Sequence, residues 1–239
     1  VEYGGITSCA DQVFALYRRV GFTDRIVRYL LGTLAVIATA EQRTCIVEDL
    51  LSGRLAGNDL IADGIKAVGL AHFSQEQLAT CFRRADAESD IGGGPMAMAV
   101  QGYLLPSANL GDATKLLAAL CRALPTLNAR ELTHDVDEGE RHEGWILSVL
   151  PDALLKVLQL ASTLDPECEI LVIDAALMAE KLRHTRYAND EDFRNLRVAV
   201  ARFPELRKAL ALRIAHSSDI IHAASTLTWG TGVVHLGHE

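Results

Sequence analysis

LPDALLKVLQLASTL (150–164), DPECEILVIDAALMAEKLRHTRY (165–187), ANDEDFRNLRVAVARF (188–203) and PELRKALALRI (204–214) follow one another as four apolar-periodic runs, each separated from the next by a proline or an acidic cap. In the first, Leu154, Leu158 and Ala161 fall at i, i+4 and i+7, with Leu155 filling the same face. That spacing is the 3.6-residue period of an amphipathic helix. In the last, Leu206, Leu210 and Ile214 recur every four residues. The junctions carry start chemistry. Asp165 offers a side-chain acceptor just before Pro166, whose missing N–H costs nothing at a first helical position. Asn189 or Asp190 can cap the third run, and Pro204 opens the fourth after Phe203. The stretch therefore reads as short antiparallel helices packed side by side, with no strand between them.

The same grammar extends towards the N-terminus. Ser8 precedes a run in which Val13, Leu16, Tyr17 and Val20 share a face, and Gly21 stops it. Thr23 caps a second run with Ile26, Leu30, Leu34 and Ile37, and a third holds Ile46, Val47, Leu50 and Leu51 before Gly53. Asn58 starts a fourth, with Ile61, Ile65 and Val68, which ends at Gly69. Ser74 and Gln77 have the S-x-x-Q spacing of a capping box and open a fifth helix bearing Leu78, Cys81, Phe82 and Ala85. Pro95 occupies a first helical position before MAMAVQGYLL, which Pro106 is expected to close. Leu116, Leu117, Leu120 and Leu124 mark the next helix, and Asn128 to Glu131 has the spacing of another capping box. Residues 134–144, HDVDEGERHEG, have no apolar period and read as an exposed acidic loop.

Composition agrees with this pattern. Apolar residues make up 49% of the 239-residue chain but aromatics only 5%, so the interior is built of Leu, Ala, Val and Ile, which suits close-packed helices. The net charge of −8, with basic residues no denser than pairs such as Arg18-Arg19 and Arg83-Arg84, leaves no footprint for a nucleic acid. The uncharged run between Arg28 and Glu41 is twelve residues long and diluted by Gly32, Thr33 and Thr39. A membrane helix needs about 20 apolar residues, so none is expected. Five scattered cysteines without C-x-x-C spacing argue against both a disulfide framework and a zinc ribbon. The expected location is the cytoplasm. The start at Val1 and the ending TGVVHLGHE read as those of a piece of a longer chain.

Cys9, Cys45 and Cys81 are 36 residues apart, and Cys121 and Cys168 follow at intervals of 40 and 47. Together with helices of about three turns and short connections, intervals of that size match two-helix repeats of the HEAT and armadillo kind. The fold class expected is therefore all-α: stacked helical hairpins forming a HEAT/armadillo-like α-solenoid over 1–239, with sub-blocks at 1–133 and 145–225. The segment from Pro151 to Ile214, and FRNLRVAVARFPELRKALALRI within it, resembles the C-terminal helical regions of large bacterial NACHT-type STAND NTPases. YLLGTLAVIATAEQRTCIVEDLLSG is similar in style. The resemblance implies a sensor or scaffold segment downstream of a nucleotide-binding domain, although this chain contains no NTPase core.

The chain offers little for catalysis. There is no G-x-x-x-x-G-K-[ST], no G-x-S-x-G and no H-E-x-x-H. Gly92-Gly93-Gly94-Pro95-Met96-Ala97 satisfies G-x-G-x-x-A, but FRRADAESDI precedes it where a dinucleotide site needs an apolar strand, so the glycines read as a bend between helices. His134-Asp135 resembles the centre of the HD phosphohydrolases, all-helical enzymes whose two His and two Asp hold metal ions that activate water. His72 upstream and Asp174 or Asp219 downstream would complete such a set. That family places its HD pair in an apolar helix, whereas here it opens the hydrophilic run THDVDEGERHEG. His216, Asp219 and His222, at i, i+3 and i+6, read as a helix C-terminus rather than a metal site. Met96 and Met98 read as core filling, and Trp145 and Trp229 as packing lids in irregular segments beside glycines. No catalytic, cofactor-binding or metal residue is therefore assigned. The expectation is a non-catalytic segment whose partner is a protein or another domain of its parent chain, with no nucleic acid, membrane or cofactor. The alternative is an HD-like metal-dependent phosphohydrolase.

Overall fold

The computed structural model describes residues 4–21, 25–87, 94–124, 145–182 and 190–215. Among them the chain is all-α, without a strand. The helices are α1 (Gly4–Arg19), α2 (Arg25–Ile37), α3 (Ala40–Ser52), α4 (Asn58–Val68), α5 (Gln75–Ala87), α6 (Pro95–Ala99), α7 (Leu105–Ser107), α8 (Leu110–Ala123), α9 (Trp145–Leu160), α10 (Pro166–Leu182), α11 (Asp190–Ala201) and α12 (Pro204–Ala215). A 3-10 turn, Leu70–His72, follows α4, and a π turn, Val100–Leu104, joins α6 to α7. The chain forms two compact units, Val1–Ala108 with His142–Ile146, and Asn109–Arg141 with Leu147–Glu239. This division falls after α7 and places α8 with the later helices, whereas the sub-blocks expected from the acidic stretch were 1–133 and 145–225.

In the first unit, helices adjacent in sequence form pairs, and helices two apart lie side by side. Thus α1 packs on α2 and α3 on α4, while α2 also packs on α4, α3 on α5, and α4 on α6. Polar contacts give the directions. The Gln42 amide, at the start of α3, donates to Asp11 Oδ1 in the middle of α1 at 2.8 Å, across a separation of 31 residues. Near their ends, the Tyr17 hydroxyl donates to Asp49 Oδ2 at 2.9 Å, across 32. A constant offset at both contacts means that α1 and α3 run parallel. For α2 and α4, Arg28 reaches Asp59 and Asp63 near the two N-termini. The Arg43 guanidinium bonds to Ala35 and Ala67, close to both C-termini, so these helices are parallel as well. This is the arrangement of stacked helical hairpins in two layers.

The register of α1 against α3 is thus 31–32 residues, not the 36 of the cysteine spacing. Cys9 is exposed, Cys45 half-buried and Cys81 buried, so the cysteines do not mark equivalent places in the stack. In the second unit α10 packs on α8 and on α12, and α11 packs on α12. Cys168 is hydrogen-bonded to Thr114 near the starts of α10 and α8. Cys121 and Asp174 lie together further along the same two helices, which makes α8 and α10 parallel too.

Several starts and stops follow the local chemistry. The Gln77 N–H donates to Ser74 Oγ and the Ser74 N–H to Gln77 Oε1, which closes the expected capping box. A second box, Thr39 with Gln42, opens α3. Gly53 ends that helix at φ 85°, in the left-handed region that favours glycine. The Cys168 N–H, two residues after Pro166, donates to Oδ1 of Asp165, the residue before it, at 2.8 Å.

Four expectations need correction. Helix α1 begins at Gly4, before Ser8, and its Leu16 is half exposed while Ala10 and Tyr17 are buried. In α2 the core face is Val27, Leu30, Leu31 and Leu34, which turns Ile26 outwards. The run RIVRYLLGTLAVI has apolar residues on more than one side, so packing chooses the face. Helix α9 starts at Trp145 and carries Pro151 inside it. An internal proline costs roughly 3 kcal/mol. The helix extends past it because Trp145, Ile146, Val149 and Leu150 are all buried, each worth about 1.5–3 kcal/mol. Finally, Pro106 does not close its segment. Leu105 N–H donates to Val100 O, five residues back, and the widened turn carries the chain through Pro106, which has no N–H to give Gly102.

Candidate interaction surface

The first unit carries a chain of paired charges and several large exposed apolar side chains. Arg28 Nε donates to Asp63 Oδ2 at 2.8 Å, and its Nη1 to Asp59 Oδ2 at 3.1 Å, linking α2 to α4. The hydrogen bond to Asp63 pushes the Arg28 pKa further up. Lys66 Nζ lies 2.5 Å from Asp63 Oδ1 and 4.9 Å from the centre of the Tyr103 ring, in the π turn. Two acids and two bases thus form a ladder from α2 across α4 to the π turn, ending in a cation–π contact.

On the same elements of this unit Tyr29 (78% exposed), Val36 (83%), Met98 (71%) and Tyr103 (64%) stand out from the core, Tyr103 under Lys66. Tyr29 and Val36 lie on the side of α2 away from its buried Val27, Leu30, Leu31 and Leu34. The π turn adds one residue to the ladder of backbone bonds and so resets the side-chain phase between Met98 and Tyr103. Met98 is surface, not core filling, because it points about 200° away from Met96, two residues earlier on α6, which is buried as expected.

A buried carboxylate on the α1/α3 layer plays a structural part. The Asp49 side chain is 3% exposed. Arg18 Nη1 donates to both of its oxygens, at 3.1 and 2.9 Å, Arg54 Nη1 is 3.1 Å away, and the Tyr17 hydroxyl donates to it. Burial, then the Asp49 charge, pushes the Tyr17 phenol well above its ordinary value. Every donor is directed at the same carboxylate, so this cluster is a latch between helices and not a poised acid–base pair. Two of the thiols are also poor nucleophiles. Burial raises Cys81 to about 11 and, with Asp174 nearby, Cys121 to about 12, away from the thiolate range a nucleophile needs.

In the second unit Ile170, Ile173, Ala209 and Leu212 line a groove between α10 and α12. Asp174 and Arg213 stand at it, 3.7 Å apart. Both are well exposed, and such a pair contributes little to stability.

Two of the residues weighed for metal chemistry are described. His72 sits exposed in the 3-10 turn of the first unit, and Asp174 faces Arg213 in the second. His134, Asp135, His216, Asp219 and His222 lie outside the described residues, as do Gly92, Gly93, Trp229 and the Asn128–Glu131 spacing. Among the described residues no group of three His, Cys, Asp or Glu side chains could hold a metal ion. No described helix is long and apolar enough to cross a membrane. Trp145 is a packing residue, as expected, but in the first turn of a helix, where its ring meets Phe82 edge-on at 5.3 Å. The charge ladder was missed in the sequence. Asp59, Asp63 and Lys66 are visible there as a helical row, but Arg28 lies 31–35 residues away from its partners.

Comparison with protein-family models, curated proteins and solved structures finds no match to this chain.

Proposed function

We propose that this chain is a non-catalytic protein-interaction segment, a sensor or scaffold within a longer protein. In that protein it stands downstream of a NACHT-type nucleotide-binding domain and contacts a protein partner or another domain of the same chain. The observation that carries the reading is the exposure of Tyr29 and Val36 on α2, Met98 on α6 and Tyr103 on the π turn, in the unit that the Arg28–Asp63–Lys66 ladder crosses. Tyrosine and methionine side chains this exposed on neighbouring elements of one unit suit a surface that meets another protein. The ladder suits the same role. Its charges already neutralise one another, so a partner that covers them leaves no buried charge unpaired. The lineage of the reading is the resemblance of Pro151 to Ile214 to the helical regions of NACHT-type proteins.

A photo-crosslinking residue placed at Tyr29 or Tyr103 of the chain in cells tests it. Both should join to protein far more efficiently than the same residue at Glu48, which is exposed on α3, a helix that contributes nothing to the ladder. Equal labelling at all three positions refutes the proposed face. Stoichiometric Mn, Fe, Zn or Mg on the purified protein, lost in His134→Ala, would replace this reading with a metal-dependent hydrolase.

A further inference from the structure

We draw no further inference here: the strongest candidate, the apolar groove of about 370 Å³ that Ile170, Ile173, Ala209 and Leu212 line between α10 and α12, carries nothing because no feature of the structure shows what covers it.

Discussion

Arg43 is the side chain whose removal should loosen the first unit most directly. From the first turn of α3 its Nε donates to Ala38 O at 3.2 Å, its Nη1 to Ala67 O and Val68 O at 2.6 and 2.8 Å, and its Nη2 to Ala35 O at 3.0 Å. These carbonyls belong to the C-terminal ends of α2 and α4, where helices leave acceptors without an intrahelical donor and where the macrodipole favours a cation. One guanidinium thus fastens two parallel helices to a third. A hydrogen bond from a charged donor contributes about 1.5–3 kcal/mol, but the four share one group and do not add. Water can reach part of this half-buried site once the side chain is gone, so Arg43→Ala should cost about 2–4 kcal/mol. Arg43→Lys keeps the charge but not the planar fork that spreads donors over two helices, and should recover less than half of that loss.

Hydrogen exchange followed by mass spectrometry is the suitable assay, because a chain of two units need not unfold in one step. Protection should fall in peptides covering 33–39 and 64–72 and remain unchanged in α10 and α12. The effect should also be the same at pH 6 and pH 9, since a guanidinium stays charged throughout. A loss below about half a kcal/mol in Arg43→Ala, or full recovery by lysine, would refute the claim that this fork ties the helix ends together.

Three further outcomes are expected. Leu158→Ala and Leu210→Ala, at buried positions, should each cost roughly 2–5 kcal/mol in urea unfolding, while exposed Gln159→Ala and Lys208→Ala stay within about half a kcal/mol; equal small shifts in all four would contradict the assigned helix faces. Gly53→Ala should destabilise by about 1–2 kcal/mol, because it places a side chain at φ 85° and 3.1 Å from Arg84 Nη2, whereas Gly21→Ala, which meets nothing within 4 Å, should lower the thermal midpoint far less. Tyr17 holds its proton more tightly in the folded chain, so its contribution to stability is complete below the ordinary phenol value of 10.0 and is lost as pH rises above it. Between pH 9 and 11 the thermal midpoint should therefore fall more steeply in the natural protein than in Tyr17→Phe, and identical slopes would remove the phenol from the latch.

How much was legible beforehand depends on the range of each interaction. The Ser74–Gln77 box, the Asp165-Pro166 start, Pro95 at a first helical position and Gly53 at a helix end were all readable from sequence alone. Each is decided within four or five residues, by whether a side chain can reach a backbone N–H or a residue can adopt positive φ. The all-α class followed from the same signals, repeated along the chain with a period of 3.6 and no period of two. By itself, then, the sequence determined that helices form here and roughly where they begin and end.

Which face each helix buries, and which helix it meets, only the tertiary structure decided. Ile26 and Val27 are adjacent and both apolar, and the packing of α2 on α1 and α4 buries Val27 and exposes Ile26. Likewise the burial of Trp145 and Ile146 draws α9 back beyond a proline that would otherwise have opened it. The cysteine interval suggested a register of 36, but Asp11, Gln42, Tyr17 and Asp49 set it at 31–32 through contacts between different helices. The same holds for the candidate surface, since Arg28 finds Asp63, and Lys66 finds Tyr103, only once three parallel segments lie in one layer. Partners separated by thirty or more residues leave no periodic trace in the chain, because their positions depend on how helices stack and not on the turn of any one of them.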